Sequence, residues 1–226
     1  MITRRNCLRT GIAGATSLWL PSEAWAGAQQ EEALADSVRN ALRSAIASSA
    51  PPELEFRDID ERLAHLRWLG QMSGRLRSRI QNWDERKAFL QWVWYESKRA
   101  ALETSLVLGL IQVESNFRKY AVSPVGARGY MQVMPFWARL IGNGEVDKLF
   151  IMQVNLRFGC VILRHYLVDR ERLDLFMALG RYNGSRGKPQ YPNAVLAAKK
   201  NWEFFHQPPA PERPADPTKP TTGGPN

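Results

Sequence analysis

The chain has little of what most metal, redox or membrane chemistry requires. Its 226 residues include two cysteines and three histidines. The histidines show no metal-ligand spacing, so no metal site and no cofactor are expected. No run of residues approaches the eighteen or so consecutive apolar positions of a membrane-spanning helix. The only greasy stretch, Gly11 to Leu20, is short and N-terminal. Strand-like alternation and internal repeats are absent too, which leaves an all-α reading. Hydrophobic residues make up 44% and charged residues 23%, enough apolar material for a full core.

The N-terminus has the layout of an export signal. Arg4, Arg5 and Arg9 precede the apolar stretch, and Ala24-Trp25-Ala26 follows as a small-x-small cleavage site. Thr3 to Arg9 resembles the twin-arginine export motif, with Cys7 where Phe is usual and Arg9 where Lys is frequent; an ordinary secretory signal is the alternative. Cys7 precedes the apolar stretch and so is not a lipid-attachment cysteine. Cleavage after Ala26 removes three arginines and one glutamate, which lowers the formal charge from +9 to +7. One cysteine, Cys160, then remains, so no intramolecular disulfide can form. A basic exported protein suits the anionic cell wall or anionic lipid, and export makes nucleic acid the poorest partner.

Four regions are expected: a cleaved signal over 1–26, an N-terminal helical region over 27–83, a principal domain over 84–206, and a tail over 207–226. The tail holds seven of the fourteen prolines and no large apolar residue, a composition that predicts disorder. In the second region Leu34, Val38, Leu42 and Ile46 share one helical face. Beyond Pro51-Pro52, Ile59, Leu63, Leu66, Leu69, Leu76 and Ile80 form another. Their charged faces read as solvated surface. Asp84 is a plausible N-cap for the next helix, and Thr104 or Ser105 for the one over Leu106 to Ser115. A loop follows over Asn116 to Arg128, and Pro135 suits the first turn of a helix through Leu140. Asn155 to Leu167 is apolar almost all round and reads as a central helix, with Cys160 a packed thiol and His165 a satisfied histidine. Leu173 to Tyr182 is a helix stopped by Asn183-Gly184, and Pro192 to Phe205 is the last, with Val195, Ala198, Trp202 and Phe205 in register.

One charge stands out. Ile111, Leu110 and Val107 lie three, four and seven positions before Glu114, so this acid emerges from an apolar helical face near the helix C-terminus. Desolvation and the negative end of the helix dipole both favour the neutral acid, and both are expected to raise its pKa. A carboxylic acid that stays protonated near neutrality is what a general acid needs. Most glutamates near helix ends are solvated, however, and position alone leaves that reading open.

The surroundings narrow it. Glu114-Ser115-x-Phe117, then Ala121-x-Ser123-x-x-Gly126-Ala127-x-Gly129-Tyr130-Met131-Gln132-Val133-Met134-Pro135, and downstream Arg181-Tyr182-Asn183, resemble the lysozyme-like domain of soluble lytic transglycosylases over about Asp84 to Phe205. Tyr130 stands where Leu is commoner and Arg181 where Ala is usual; the second change puts the groove beside Tyr182 in question. The resemblance implies that the all-α domain is lysozyme-like, preceded by the N-terminal amphipathic helical extension that the pattern over 27–83 predicts. It also implies an enzyme acting on peptidoglycan glycan strands, which the expected export signal places in the periplasm. The reaction would break the β-1,4 bond between N-acetylmuramic acid and N-acetylglucosamine and form a 1,6-anhydro ring, with Glu114 as acid and then base. By the same resemblance Ser123, Tyr130, Met131, Gln132, Met134, Tyr182 and Asn183 would bind substrate. Met134 reads equally as core, and Asn183 as helix cap; Trp137 could stack on a sugar or close the core. Glu145 and Asp147 read as turn and cap. If either faced Glu114, a goose-type muramidase would be the alternative, and a catalytically silent wall-binding scaffold is a third reading.

Overall fold

The computed structural model describes residues 29–34, 36–47 and 56–205. The expected signal and the expected tail lie outside these residues. The described residues form eight α-helices and no named strand: α1 (Asp36–Ala47), α2 (Ile59–Leu76), α3 (Trp83–Arg99), α4 (Thr104–Ser115), α5 (Pro135–Ile141), α6 (Met152–His165), α7 (Leu175–Asn183) and α8 (Gln190–Lys200). A 3₁₀ turn over Val146–Phe150 precedes α6, and a π turn over Tyr166–Arg170 follows it. The all-α reading therefore holds.

α6 is the central helix that its composition predicts. Leu156, Phe158, Cys160, Ile162 and Leu163 are all buried in it. Burial, and then the charge of Glu96, push the Cys160 thiol up, which makes it a packed, unreactive group. His165 is buried and its Nδ1 lies 2.8 Å from Asp169 Oδ2. Around α6 the other helices are set by packing rather than by propensity, as is usual for helices of this length.

Several local expectations need correction. In α2 the buried face is His65, Trp68, Leu69, Met72 and Leu76. Ile59, Leu63 and Leu66, expected in the core, are exposed. Two apolar lines coexist on this helix, and the one that turns inward carries Trp68, which stacks beside His65 and Trp94 and buries more area. The N-cap of α3 is Asn82, whose side chain accepts from the Glu85 amide at 2.8 Å. Asp84 instead lies in the first turn, where an acid suits the helix dipole. α4 begins at Thr104 with Glu103 at its N-cap position and no side-chain cap. Thr104 Oγ1 is spent on Ser97 Oγ, 2.9 Å away. Finally, α8 starts at Gln190 and stops at Lys200; Trp202 is buried from the turn beyond, whereas Phe205 is 81% exposed.

α4 and α8 cross more closely than any other side chain but glycine permits. A Cβ on Gly109 would stand 2.6 Å from the Lys199 backbone nitrogen and 2.8 Å from its Cα. The crossing is tied further by Trp202 Nε1, which donates to Gln112 Oε1 at 2.8 Å. These contacts seat the last turns of α8 on the middle of α4, and Tyr191 at the start of α8 reaches the end of α4.

Candidate active site

Glu114 is in the last turn of α4, among Val107, Leu110 and Ile111, all wholly buried, and is itself 5% exposed. The enclosure and the helix-end position expected from the sequence are both present. A further group is there that the sequence reading left unassigned. Tyr191, in the first turn of α8, donates its hydroxyl to Glu114 Oε1 at 2.5 Å. Burial, and then the Glu114 charge, push the Tyr191 phenol well up, so it acts as a neutral donor.

Beyond Glu114 the chain turns sharply. Ser115 ends the helix, and Asn116 and Phe117 both take left-handed backbone angles, φ 47° and 65°. Such angles cost a non-glycine residue on the order of 1–3 kcal/mol and persist only where packing enforces them. Here Phe117 is clamped edge-on by Phe89 and Trp202, with the Arg79 guanidinium over its ring.

The segment Gly129–Gln132 is held against this helix end from several sides. Ser115 Oγ donates to the Tyr130 carbonyl at 2.7 Å. Tyr182 Oη donates to the Met131 carbonyl at 2.8 Å. Asn155, wholly buried in α6, accepts from the Met131 amide and donates to the Arg128 and Leu149 carbonyls, each at 2.8 Å. Gln132 has φ 49° and sends Nε2 to the Gly129 and Ala121 carbonyls at 2.9 and 3.1 Å. Gly129 has φ 75°, and a Cβ there would strike Asn155 Nδ2 at 2.4 Å.

The sequence-predicted site residues therefore divide. Tyr130, Met131, Gln132 and Tyr182 are joined in one hydrogen-bonded turn, which Ser115 ties to the helix end beside Glu114, and Glu114 itself bonds Tyr191. Tyr130, Met131 and Tyr182 are fully enclosed, so in this conformation they shape the site from behind. Ser123 is buried and its Oγ accepts from the Ala127 amide at 3.0 Å, which braces the loop. Met134 is half-buried at the N-cap position of α5. Asn183 is buried near the end of α7 and donates from Nδ2 to Ser185 Oγ at 3.1 Å. Trp137 closes the core, with Nε1 donating to Gln29 Oε1.

Arg181 is held in ion pairs with Glu171 at 2.6 Å and with Glu32. The candidate second acids are engaged elsewhere. Glu145 pairs with Lys148 at 2.6 Å, and Asp147, 97% exposed at its side chain, pairs with Arg128 at 2.7 Å. No group of three or more potential metal ligands occurs among the described residues. Nor is any described helix long and apolar enough to cross a membrane.

Sequence reasoning missed Tyr191 and Asn155 as functional residues. Tyr191-Pro192 was a visible pair, with proline welcome in a first helical turn, but nothing local says where that turn docks. Asn155 is a neutral polar residue wholly buried beside Leu156 in a helix whose core face is apolar, which was the available signal.

Comparison with known proteins bears on the same part of the chain. The membrane-bound lytic murein transglycosylase C of Haemophilus ducreyi is 47% identical over 94 residues, which are 39% of this chain and 26% of that protein. The corresponding protein of Actinobacillus pleuropneumoniae is 38% identical over 71 residues, 29% and 20% of the two chains. The chain thus spans about a quarter or less of the curated relatives it matches. A solved structure, an inactive mutant of the lytic transglycosylase Slt from Pseudomonas aeruginosa, aligns with TM-score 0.46 and 20% identity over 77% of this chain and 38% of that one. Residues 92–205, half of the chain and all of the network around Glu114, match the family described as Transglycosylase SLT domain, and the chain belongs to that family.

Proposed function

We propose that the protein is a peptidoglycan lytic transglycosylase in which Glu114 serves first as acid and then as base. The observation that carries this reading is one enclosed carboxylate, donated to by Tyr191 and set beside a rigid turn, while the two candidate second acids, Glu145 and Asp147, are paired with Lys148 and Arg128. Glu114 gives its proton to the glycosidic oxygen between N-acetylmuramic acid and N-acetylglucosamine as that bond breaks. The carboxylate then takes the proton of the muramic acid 6-hydroxyl, whose oxygen closes on C1 to form the 1,6-anhydro ring. No water is consumed, and Glu114 ends protonated for the next cycle.

Both charge states are needed, and the surroundings serve both. Enclosure favours the neutral acid of the first step, and the Tyr191 hydroxyl favours the carboxylate of the second. Hydrolysis in most glycosidases needs a second carboxylate across the bond. The acetamido group of the substrate can stabilise the developing cation instead, so one acid suffices. Ser123, Met134 and Asn183, the less enclosed of these residues, form the groove side, with Tyr130, Met131, Gln132 and Tyr182 behind it. The basic chain, its expected export signal and the anionic wall together favour action in the periplasm. Residues 84–206 then form the catalytic unit and 27–83 a helical extension.

Mass spectrometry of digested glycan strands is the test. The transglycosylase product is lighter by one water than the hydrolysed one, and reducing ends alone would refute the reading. Glu114→Gln is expected to lower turnover by about 10³-fold or more, within the range of a lost general acid and base. Clearing of cell wall by neither protein would favour a silent scaffold.

A further inference from the structure

The segment Gln29–Leu34 lies outside the matched family region, yet it reaches into the supports of the site. Gln29 is 4% exposed and accepts from Trp137 Nε1 at 2.9 Å. Its amide also adjoins Tyr182: burial, and then the Glu114 charge, push that phenol well up, and the Gln29 side chain acts the other way. Three residues on, Glu32 pairs with Arg181, the residue before Tyr182 in α7, and with Arg170 in the π turn. Leu34 is buried, and its carbonyl accepts from Arg39 at 3.2 Å.

The far end of α1 is fastened as well. Arg99 and Arg157 donate to the Ala45 and Ile46 carbonyls, and both guanidinium groups pair with the buried carboxylate of Glu96. A buried amide costs free energy unless its hydrogen bonds are made; that of Gln29 accepts one, from Trp137, while its Nε2 is buried without a hydrogen bond among the described residues. Arg181, the residue before Tyr182, is the anchor for Glu32.

We infer that Gln29–Leu34 is a positioning strap for the active site, in which Gln29, bonded to Trp137, and Glu32, paired with Arg181 next to Tyr182, hold α7 where the Tyr182 hydroxyl fixes the Met131 carbonyl and thereby the Gly129–Gln132 turn bonded to Ser115 beside Glu114. The strap adds no group to the reaction; it sets the geometry of the groups that do. The inference rests on the transglycosylase reading for the reaction it serves, while the coupling of strap to turn stands on geometry alone.

The test compares the full chain with Gln29→Ala and Glu32→Ala, and with Met72→Ala as a core change in α2, remote from the strap. Steady-state kinetics on glycan strands and hydrogen exchange of peptides covering residues 129–133 are both measured at equal distance below each Tm. The strap variants should lose about tenfold in kcat with KM within twofold, and the turn amides should exchange about tenfold faster. Met72→Ala should lower Tm with kcat and turn exchange unchanged. Strap variants that lose Tm but keep wild-type kcat and wild-type turn exchange would overturn the inference. Absence of anhydro products from the wild-type protein would instead remove the transglycosylase reading. Hydrogen exchange alone would then decide whether the strap holds the turn.

Discussion

Tyr191 and Glu114, 77 positions apart in the chain, meet hydroxyl to carboxylate at 2.5 Å with both side chains buried. The contact joins the end of α4 to the start of α8 and makes the acid's environment depend on how those helices cross. Tyr191→Phe keeps the ring and deletes the donor. A hydrogen bond to a buried charged group contributes about 1.5–3 kcal/mol, so turnover should fall about 10- to 100-fold. Kinetics on glycan strands check this, and an unchanged kcat would leave Tyr191 a packing residue only.

Asn155 makes three hydrogen bonds at 2.8 Å to the backbone around the Gly129–Gln132 turn. Asn155→Ala strands the buried Met131 amide and the Leu149 carbonyl, while the Arg128 carbonyl keeps its bond from the Val133 amide, at a cost of roughly 1–3 kcal/mol for the first group left dry. Unfolding in urea should show a loss of about 3 kcal/mol, within the range of a broken buried network. Activity should fall further than stability, since the turn loses its hold on both sides. Asn155→Asp keeps the acceptor for the Met131 amide but opposes a carboxylate to two carbonyls, and is expected to be no better.

Much of this architecture could be read in advance, for identifiable reasons. α6 announces itself because Leu156, Phe158, Cys160, Ile162 and Leu163 make it apolar almost all round, and α7 because Asn183-Gly184 ends it in a left-handed cap. Glu114 is conspicuous because a charge interrupts an apolar face. The face that α2 buries was not legible, since Ile59, Leu63 and Leu66 compete with Trp68, Met72 and Leu76 and only the partner helix decides. Tyr191 on Glu114, Asn155 under the turn and Gln29 on Trp137 were hidden for another reason. Each is a long-range pairing of ordinary residues, and no local pattern encodes who sits opposite.

Gly109 tests how much the helix crossing matters. A methyl group there would meet the Lys199 backbone at 2.6–2.8 Å, and backbone cannot step aside as a side chain can. Gly109→Ala should gain helix propensity yet destabilise overall by about 1–3 kcal/mol, the usual range for overpacking. Because α4 carries Glu114 and α8 carries Tyr191, kcat should drop by more than the fraction unfolded. Thermal melts and kinetics on the same sample separate the two effects.

Glu171 supplies the pH dependence. The Arg186 guanidinium first, and Arg181 with it, hold its carboxyl well down, at about 2, even though burial works in the opposite direction. A carboxylate depressed in the folded state binds its proton more readily once unfolded. Its contribution is therefore fully present above its ordinary pKa of 4.5 and is lost as pH falls from there through about 2. The gap corresponds to at most about 3 kcal/mol. Glu171→Gln should lower stability at pH 7 and flatten the fall in stability between pH 4.5 and 2, measured by urea unfolding at each pH. Because Arg181 also carries Glu32, the variant should loosen the strap as well. Its turn amides at 129–133 should then exchange faster at pH 7, whereas an acid limb as steep as that of the wild type would show that the pH dependence originates elsewhere.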